Sequence, residues 1–431
     1  MTARERTAPS RDAALRDRAR GRDPETSSRG KDLVLCLAIV AGAAGTDLIA
    51  ACAADGAGPS QAPPDEPSRV PDAEVEAGVD AAEVDAGPCA DCEYFVDACQ
   101  ADAFCPNGPF EPSTVGGPLD VRTQINVIRG RSASDVWAAG ALGALAHFDG
   151  TSWSRSETGT MESMRAVWLR DSDEVAFGRP ESLYTRGIDV PDAGASAGGW
   201  THQQPALASQ YNQQRTKMIF ESAWGAPSAE WLWVAMRYQR STTPAPSGLW
   251  RLHRSAAGTF ELAVGLPAPS FTEEITSVHG SSPDVLWAVG LDGVMLRVTG
   301  AQGDAPTFEV FNSQTWNALY GVWAASSTEA WAVGVRGTIR HYTGAQADSA
   351  EIVSDVPTTE NLNAIWGSSP TDVWAVGNAA VVLHYDGTRW SRVKIAGLGP
   401  RRPDLHTVWM PGPGHVWIGG HGVVLSLGGN P

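Results

Sequence analysis

Six cysteines and a few histidines are the residues of this 431-residue chain best able to do chemistry. Four of the cysteines cluster as Cys89, Cys92, Cys99 and Cys105, in the pattern Cys-x2-Cys-x6-Cys-x5-Cys. That spacing could bind zinc in a cytosolic protein. In an exported protein it suits disulfides instead, with the connectivity open. His147, His341 and His384 each fall just before a turn at equivalent places in a repeat, which marks them as repeat positions ahead of metal ligands. No Gly-x-Ser-x-Gly, His-Glu-x-x-His or glycine-rich phosphate loop occurs, so no catalytic residue, cofactor or metal is assigned.

The elements that position these residues repeat along the chain. The pattern acidic-Val-Trp-Ala-Val-Gly recurs seven times, centred on Trp137, Ala176, Trp233, Trp287, Trp331, Trp374 and Trp417, at spacings of 39, 57, 54, 44, 43 and 43 residues. Eight or nine residues upstream stands a second register: Arg129, Trp168, Trp224, His279, Trp323, Trp366 and Trp409. The unit from Asn361 to Lys394 reads as four short alternating strands separated by turn signals, with Asp386-Gly387 as a hairpin turn. Repeats of roughly 40–45 residues with four strands each are the mark of propeller blades. We therefore expect an all-β fold, a seven-bladed β-propeller with four-stranded blades, over residues 109–431. Eleven of the 17 Trp occupy the two registers, where large rings at equivalent places would fill the wedges between sheets.

The seventh unit stops after its third strand, Val423-Val-Leu-Ser-Leu427. Phe110-Glu-Pro-Ser-Thr-Val115 precedes the first unit and looks like a fourth strand. We expect residues 110–116 to pair with 423–427 and close the last blade, which would leave no sheet edge unpaired.

Ahead of the repeats the chain changes character. Leu33 to Gly45 is an uncharged run of signal-peptide length, too short for a membrane span. It leads to Leu48-Ile-Ala-Ala-Cys52, which resembles the bacterial lipobox and implies lipidation of Cys52, so 1–52 reads as a signal peptide with a lipobox. Residues 53–88 hold nine acidic residues, one Arg and no aromatic, a composition for a disordered, self-repelling linker. Residues 89–108 are a small cysteine-rich module. The formal net charge of −17, with 3 Lys against 29 Arg and no basic stripe, disfavours nucleic acid and favours a soluble monomer beyond its anchor.

The order Val-Trp-Ala-Val-Gly, Gly-x-Ile-x-His-Tyr, Asp-Gly-x-x-Trp resembles bacterial propellers with tectonin-like, photosystem-assembly-factor-like or BNR-like repeats, here over roughly residues 110–431. Asp149 to Trp153 and Asp386 to Trp390 resemble the Asp-box turns of sialidase-type propellers. The resemblance implies an envelope lipoprotein, at the outer membrane or surface of a Gram-negative bacterium or else secreted, that binds glycans or envelope and extracellular proteins without catalysis. A sialidase-like or other glycan hydrolase or lyase is the alternative. Two insertions, 201–218 and 237–248, should emerge on one face and meet. They carry the candidate ligand-binding residues Tyr211, Gln213, Arg215, Tyr238 and Arg240.

Overall fold

The computed structural model describes residues 91–110, 119–171, 173–190, 194–238, 248–266 and 274–429. The expectations for the signal peptide, Cys52, the acidic linker, Cys89, Arg240 and residues 111–118 lie outside the described residues. The rest is an all-β propeller.

The strands fall into seven sheets, each beginning with an inner strand: Ile125–Ser132, Ala166–Leu169, Met218–Trp224, Ile275–Ser282, Leu319–Ala324, Leu362–Ser369 and Leu405–Gly412. The inner strands touch one another in that order and the last touches the first, so the sheets form a ring around an axial channel. Consecutive strands within a repeat pair antiparallel. The registers align Arg129 with Trp137, Trp224 with Trp233, His279 with Trp287, Trp323 with Trp331, Trp366 with Trp374 and Trp409 with Trp417. In the second sheet Trp168 faces Val175, and Ala176 stands where the others carry Trp.

The second-strand indoles are buried between each sheet and a neighbour, from Trp233, Trp287 and Trp417 at 0% exposure to Trp374 at 6%. Burying one such ring removes roughly 200 Å² from water, on the order of 5 kcal/mol by area. Three of these indoles carry an extra device. His147, His341 and His384 stack on Trp137, Trp331 and Trp374 at 4.4, 3.6 and 4.1 Å between ring centroids. Each imidazole also bonds the acid two residues before its Trp, namely Asp135 at 2.8 Å, Glu329 at 3.0 Å and Asp372 at 2.9 Å. The histidines are thus braces of the repeat.

First-strand indoles obey a different rule. Trp409, Trp168, Trp224 and Trp323 each lie over a glycine of the next inner strand: Gly130, Gly225, Gly280 and Gly367. A Cβ on Gly280 would stand 2.2 Å from the Trp224 ring, and one on Gly130 would stand 2.5 Å from Trp409. In the other three repeats the next strand carries Leu169, Ala324 or Met410 at that place. The corresponding residues are Arg129, His279 and Trp366, and they meet one another instead. Arg129 lies 4.7 Å over Trp366, and His279 meets Trp366 edge-on at 4.7 Å.

The last sheet is completed by an N-terminal strand, Ala103–Pro106, which takes the place beside Val423–Leu427 expected for 110–116. Phe104 pairs with Leu427, Cys105 with Ser426 and Pro106 with Leu425. Phe104 is fully buried, edge-on to Trp374 at 5.4 Å, and Asn107 extends the seam by bonding Ser426 Oγ at 2.8 Å. The cysteine-rich segment is therefore part of the propeller. Lys394–Ala396 and Phe95–Val96 add to the same sheet by parallel pairing, giving six strands. A disulfide joins Cys99 to Cys105 on the closing strand. Cys92 is also disulfide-bonded.

Candidate recognition site

Three residues before each first-strand register position the inner strands place Asn126, Arg165, Glu221, Thr276, Tyr320, Asn363 and His406. All seven line the channel and its mouth, where the cavity measures about 350 Å³. This ring is readable in the sequence as a polar residue at a fixed offset from the more conspicuous Trp positions.

Part of the ring holds the sheets together. Asn126 Nδ2 donates to Met164 O at 2.8 Å, Thr276 Oγ1 to Leu319 O and Asn363 Nδ2 to Leu405 O at 2.8 Å, each reaching the next repeat. Glu221 accepts from Arg165 at 3.0 Å and from Arg237 at 2.6 Å. These carboxylate–guanidinium contacts are partly solvated, which limits their worth for stability but leaves their charges available at the mouth. His406 Nε2 is buried with no hydrogen-bond partner. Burial holds this imidazole below its usual range, Asp404 opposes that, and the neighbouring His421 and Arg165 lower it further. The ring therefore offers a neutral imidazole, a phenol and a shared ion pair, an assortment suited to hydrogen-bonding a polar backbone or side chain.

A groove of about 620 Å³ runs outward from Arg165, lined by Met161, Glu162, Arg179, Glu181 and Ile219. Apolar side chains stand exposed on the same face. Met161 and Trp316 precede inner strands and are 70% and 87% exposed, while Leu142, in a second-to-third-strand connection, is 62% exposed.

Tyr211 of the first insertion and Tyr238, at the described edge of the second, pack on one core, and together with Arg215 they are structural. Tyr211 packs edge-on to Trp250 at 5.2 Å, and Trp250 Nε1 donates to Tyr238 Oη at 3.0 Å. Burial pushes the Tyr238 hydroxyl up. Arg215 Nη1 donates to Pro180 O at 2.9 Å and Pro205 O at 3.0 Å, tying the 3-10 segment Ser209–Lys217 to the second repeat. Gln213 is exposed. The spacing of the insertions located the face, while the composition of the loops concealed that their aromatic rings were needed for packing.

The Asp-box-like turns are structural as well. Asp149 Oδ1 accepts from the N–H groups of Thr151 and Ser152, both at 2.9 Å, and Asp386 Oδ1 from those of Thr388 and Arg389 at 2.8 and 3.0 Å. The backbone donors hold the Asp386 carboxyl at about 2.

No protein-family model matches this chain, and no curated protein matches it. Among solved structures it is similar to one described as YCF48 bound to D1 peptide, with a TM-score of 0.51 and 14% identity over 73% of this chain and 96% of that one. It is also similar to YCF48 from Cyanidioschyzon merolae, with a TM-score of 0.52 and 14% identity over 72% of this chain and 97% of the other. At such identities the likeness is one of fold.

Proposed function

We propose that this chain is a non-enzymatic recognition or scaffold propeller, one blade to each of its seven sheets, which captures an extended segment of a protein partner on the face bearing the channel mouth. One observation carries this reading. Of the six large hydrophobic side chains exposed among the described residues, Val121, Leu142, Met161 and Trp316 lie in connections on that face. Val310 and Ile352 lie on outer strands. Apolar anchors around a polar centre suit protein recognition, where a few aromatic and long side chains carry most of the affinity. The likeness to YCF48, one of whose structures is described with a D1 peptide, agrees with a peptide ligand without specifying its sequence.

The test is selection of binders from a random-peptide library against the full chain. Selected peptides should lose about tenfold or more in affinity when Trp316 or Met161 is replaced by Ala, a loss of at least ~1.4 kcal/mol. Saccharide binding on a glycan array with no peptide enrichment would move the site to the glycan reading, with Trp316 as a stacking platform. Turnover of a glycan by the purified chain would remove the non-enzymatic reading altogether. For the envelope location, Cys52 is the residue to test: Cys52→Ser should shift the protein from the membrane to the soluble fraction.

A further inference from the structure

The three residues that break the Trp-over-Gly rule gather at the end of the channel opposite the mouth. A cavity of about 270 Å³ opens beside them, lined by the indoles of Trp168, Trp224, Trp366 and Trp409 together with Arg129. It lies at the first-to-second-strand connections, as Gly225, Ala226 and Pro227 on its wall show.

The chemistry of this cavity is lopsided. Arg129 spends one N–H on its neighbour's carbonyl, Ile128 O at 2.8 Å, and otherwise faces the Trp366 ring. Among the described residues it has no carboxylate in contact. At the mouth, by contrast, both guanidinium groups share Glu221. Burial lowers Arg129 to about 10, which leaves it charged at neutral pH. His279 supplies no counter-charge: its Nδ1 accepts the Ala324 N–H at 3.1 Å, and burial, reinforced by Arg129, holds the ring neutral down to about pH 3. A partly buried cation lacking a fixed anion is costly unless something else supplies the negative charge.

We propose that this cavity is a binding site for a small ring-bearing carboxylate, with the carboxylate on Arg129 and the ring among the indoles. The size fits a one- or two-ring acid, being just under the ~300 Å³ at which ordinary small-molecule pockets begin. The indoles supply flat apolar faces for a ring, and a guanidinium presents the paired donors that match a carboxylate. A cationic ligand is excluded by Arg129. A neutral ring compound would leave that charge unanswered.

The decisive measurement is calorimetric titration of the full chain with indole-3-acetate, its neutral isostere indole-3-ethanol and the cation tryptamine. The acid should bind saturably, at least about tenfold more tightly than either of the others, since charge-assisted hydrogen bonds are roughly twice as strong as neutral ones. In Arg129→Gln the acid and the alcohol should bind alike, and Arg129→Lys, which keeps the charge and loses the paired donors, should keep only part of the preference for the acid. Equal binding of the three probes by the parent protein, no binding of the acid, or an undiminished preference in Arg129→Gln would overturn the proposal. Should Arg129→Gln fail to fold, the parent protein and Arg129→Lys decide it: the preference for the acid should be present in the first and reduced in the second.

Discussion

The sixth and seventh sheets are neighbours with nearly the same repeat sequence, yet they are assembled in opposite ways. The sixth is a single run of chain, Leu362–Ser369, Asp372–Gly377, Val382–Tyr385 and Trp390–Arg392, in order from the channel outward. The seventh takes three strands from the C-terminal stretch and borrows Ala103–Pro106 from the other end, then widens with Lys394–Ala396 and Phe95–Val96. In the sixth, His384 braces Trp374. In the seventh, Ser426 stands opposite Trp417, and its hydroxyl is bonded by Asn107 across the seam. Local connection makes a side-chain brace sufficient. Remote connection calls for a disulfide and a chain-end hydrogen bond.

The largest test of that contrast is Phe104→Ala. Loss of a fully buried ring should cost about 3–5 kcal/mol, and because the seam also closes the ring, denaturant unfolding should become multi-phase with aggregation through the opened edge. Trp390→Ala, on the outer strand of the sixth sheet, should lower stability without that aggregation, and hydrogen exchange should rise in the sixth sheet and its neighbours only. Equal aggregation in both variants would erase the distinction. Next in size, replacing Cys99 and Cys105 together by Ser should cost about 2 kcal/mol, the loop-entropy value for so short a loop. Reductant should lower the melting temperature of the parent protein and leave that effect smaller in the double variant, where Cys92 still has its own bond to lose.

His384→Ala, removing the brace from the sixth sheet, should cost about 1–2 kcal/mol, since Asp372 loses one partner and the Trp374 face is bared. His384→Gln should recover part of it, as read by chemical denaturation. The smallest effect has the opposite sign. The turn after the second strand is left-handed in several repeats, with Gly143, Gly293 and Gly337 at φ of 70°, 74° and 67°, but the sixth sheet has Ala380 there at φ 55°. Ala380→Gly should stabilise by up to ~1 kcal/mol, because a Cβ is strained in that region. An unchanged or lower melting temperature would mean that packing of the Ala380 methyl offsets the strain.

Much of the ring was legible because its period is local. Each Val-Trp-Ala-Val-Gly run carries its own alternation and its own turn, and the structure places six of the seven register pairs as the spacing implied. The closing strand was not legible. Phe110 to Val115 has the better strand composition, but the site beside Trp374 takes a ring from the strand paired with Leu425–Leu427, and Phe104 is the residue that delivers one. Nor did the sequence separate the two kinds of Trp: the first-strand indoles depend on a glycine one repeat away around the ring, which for Trp409 is Gly130 near the other end of the chain, a pairing visible only once the sheets are neighbours. At the candidate site the face was legible from insertion lengths. The anchors were not, because Tyr211 and Tyr238 have the composition of a binding loop and the duty of a core.

The seam has a consequence for the order of events on the ribosome. Asn107 and Ser426, which meet across it, are 319 residues apart, so at typical synthesis rates of about 5–20 residues per second the early half waits roughly 15–65 s for the late half to be made. The Cys99–Cys105 link spans a separation of only 6 residues and needs no partner from downstream. It can form before the late strands are in place and present the closing strand already shaped. Ring closure then becomes the final step of folding, a capture of the newest strand by the oldest. A pulse-chase sampled for protease resistance should show the inner sheets protected before residues 95–106 are.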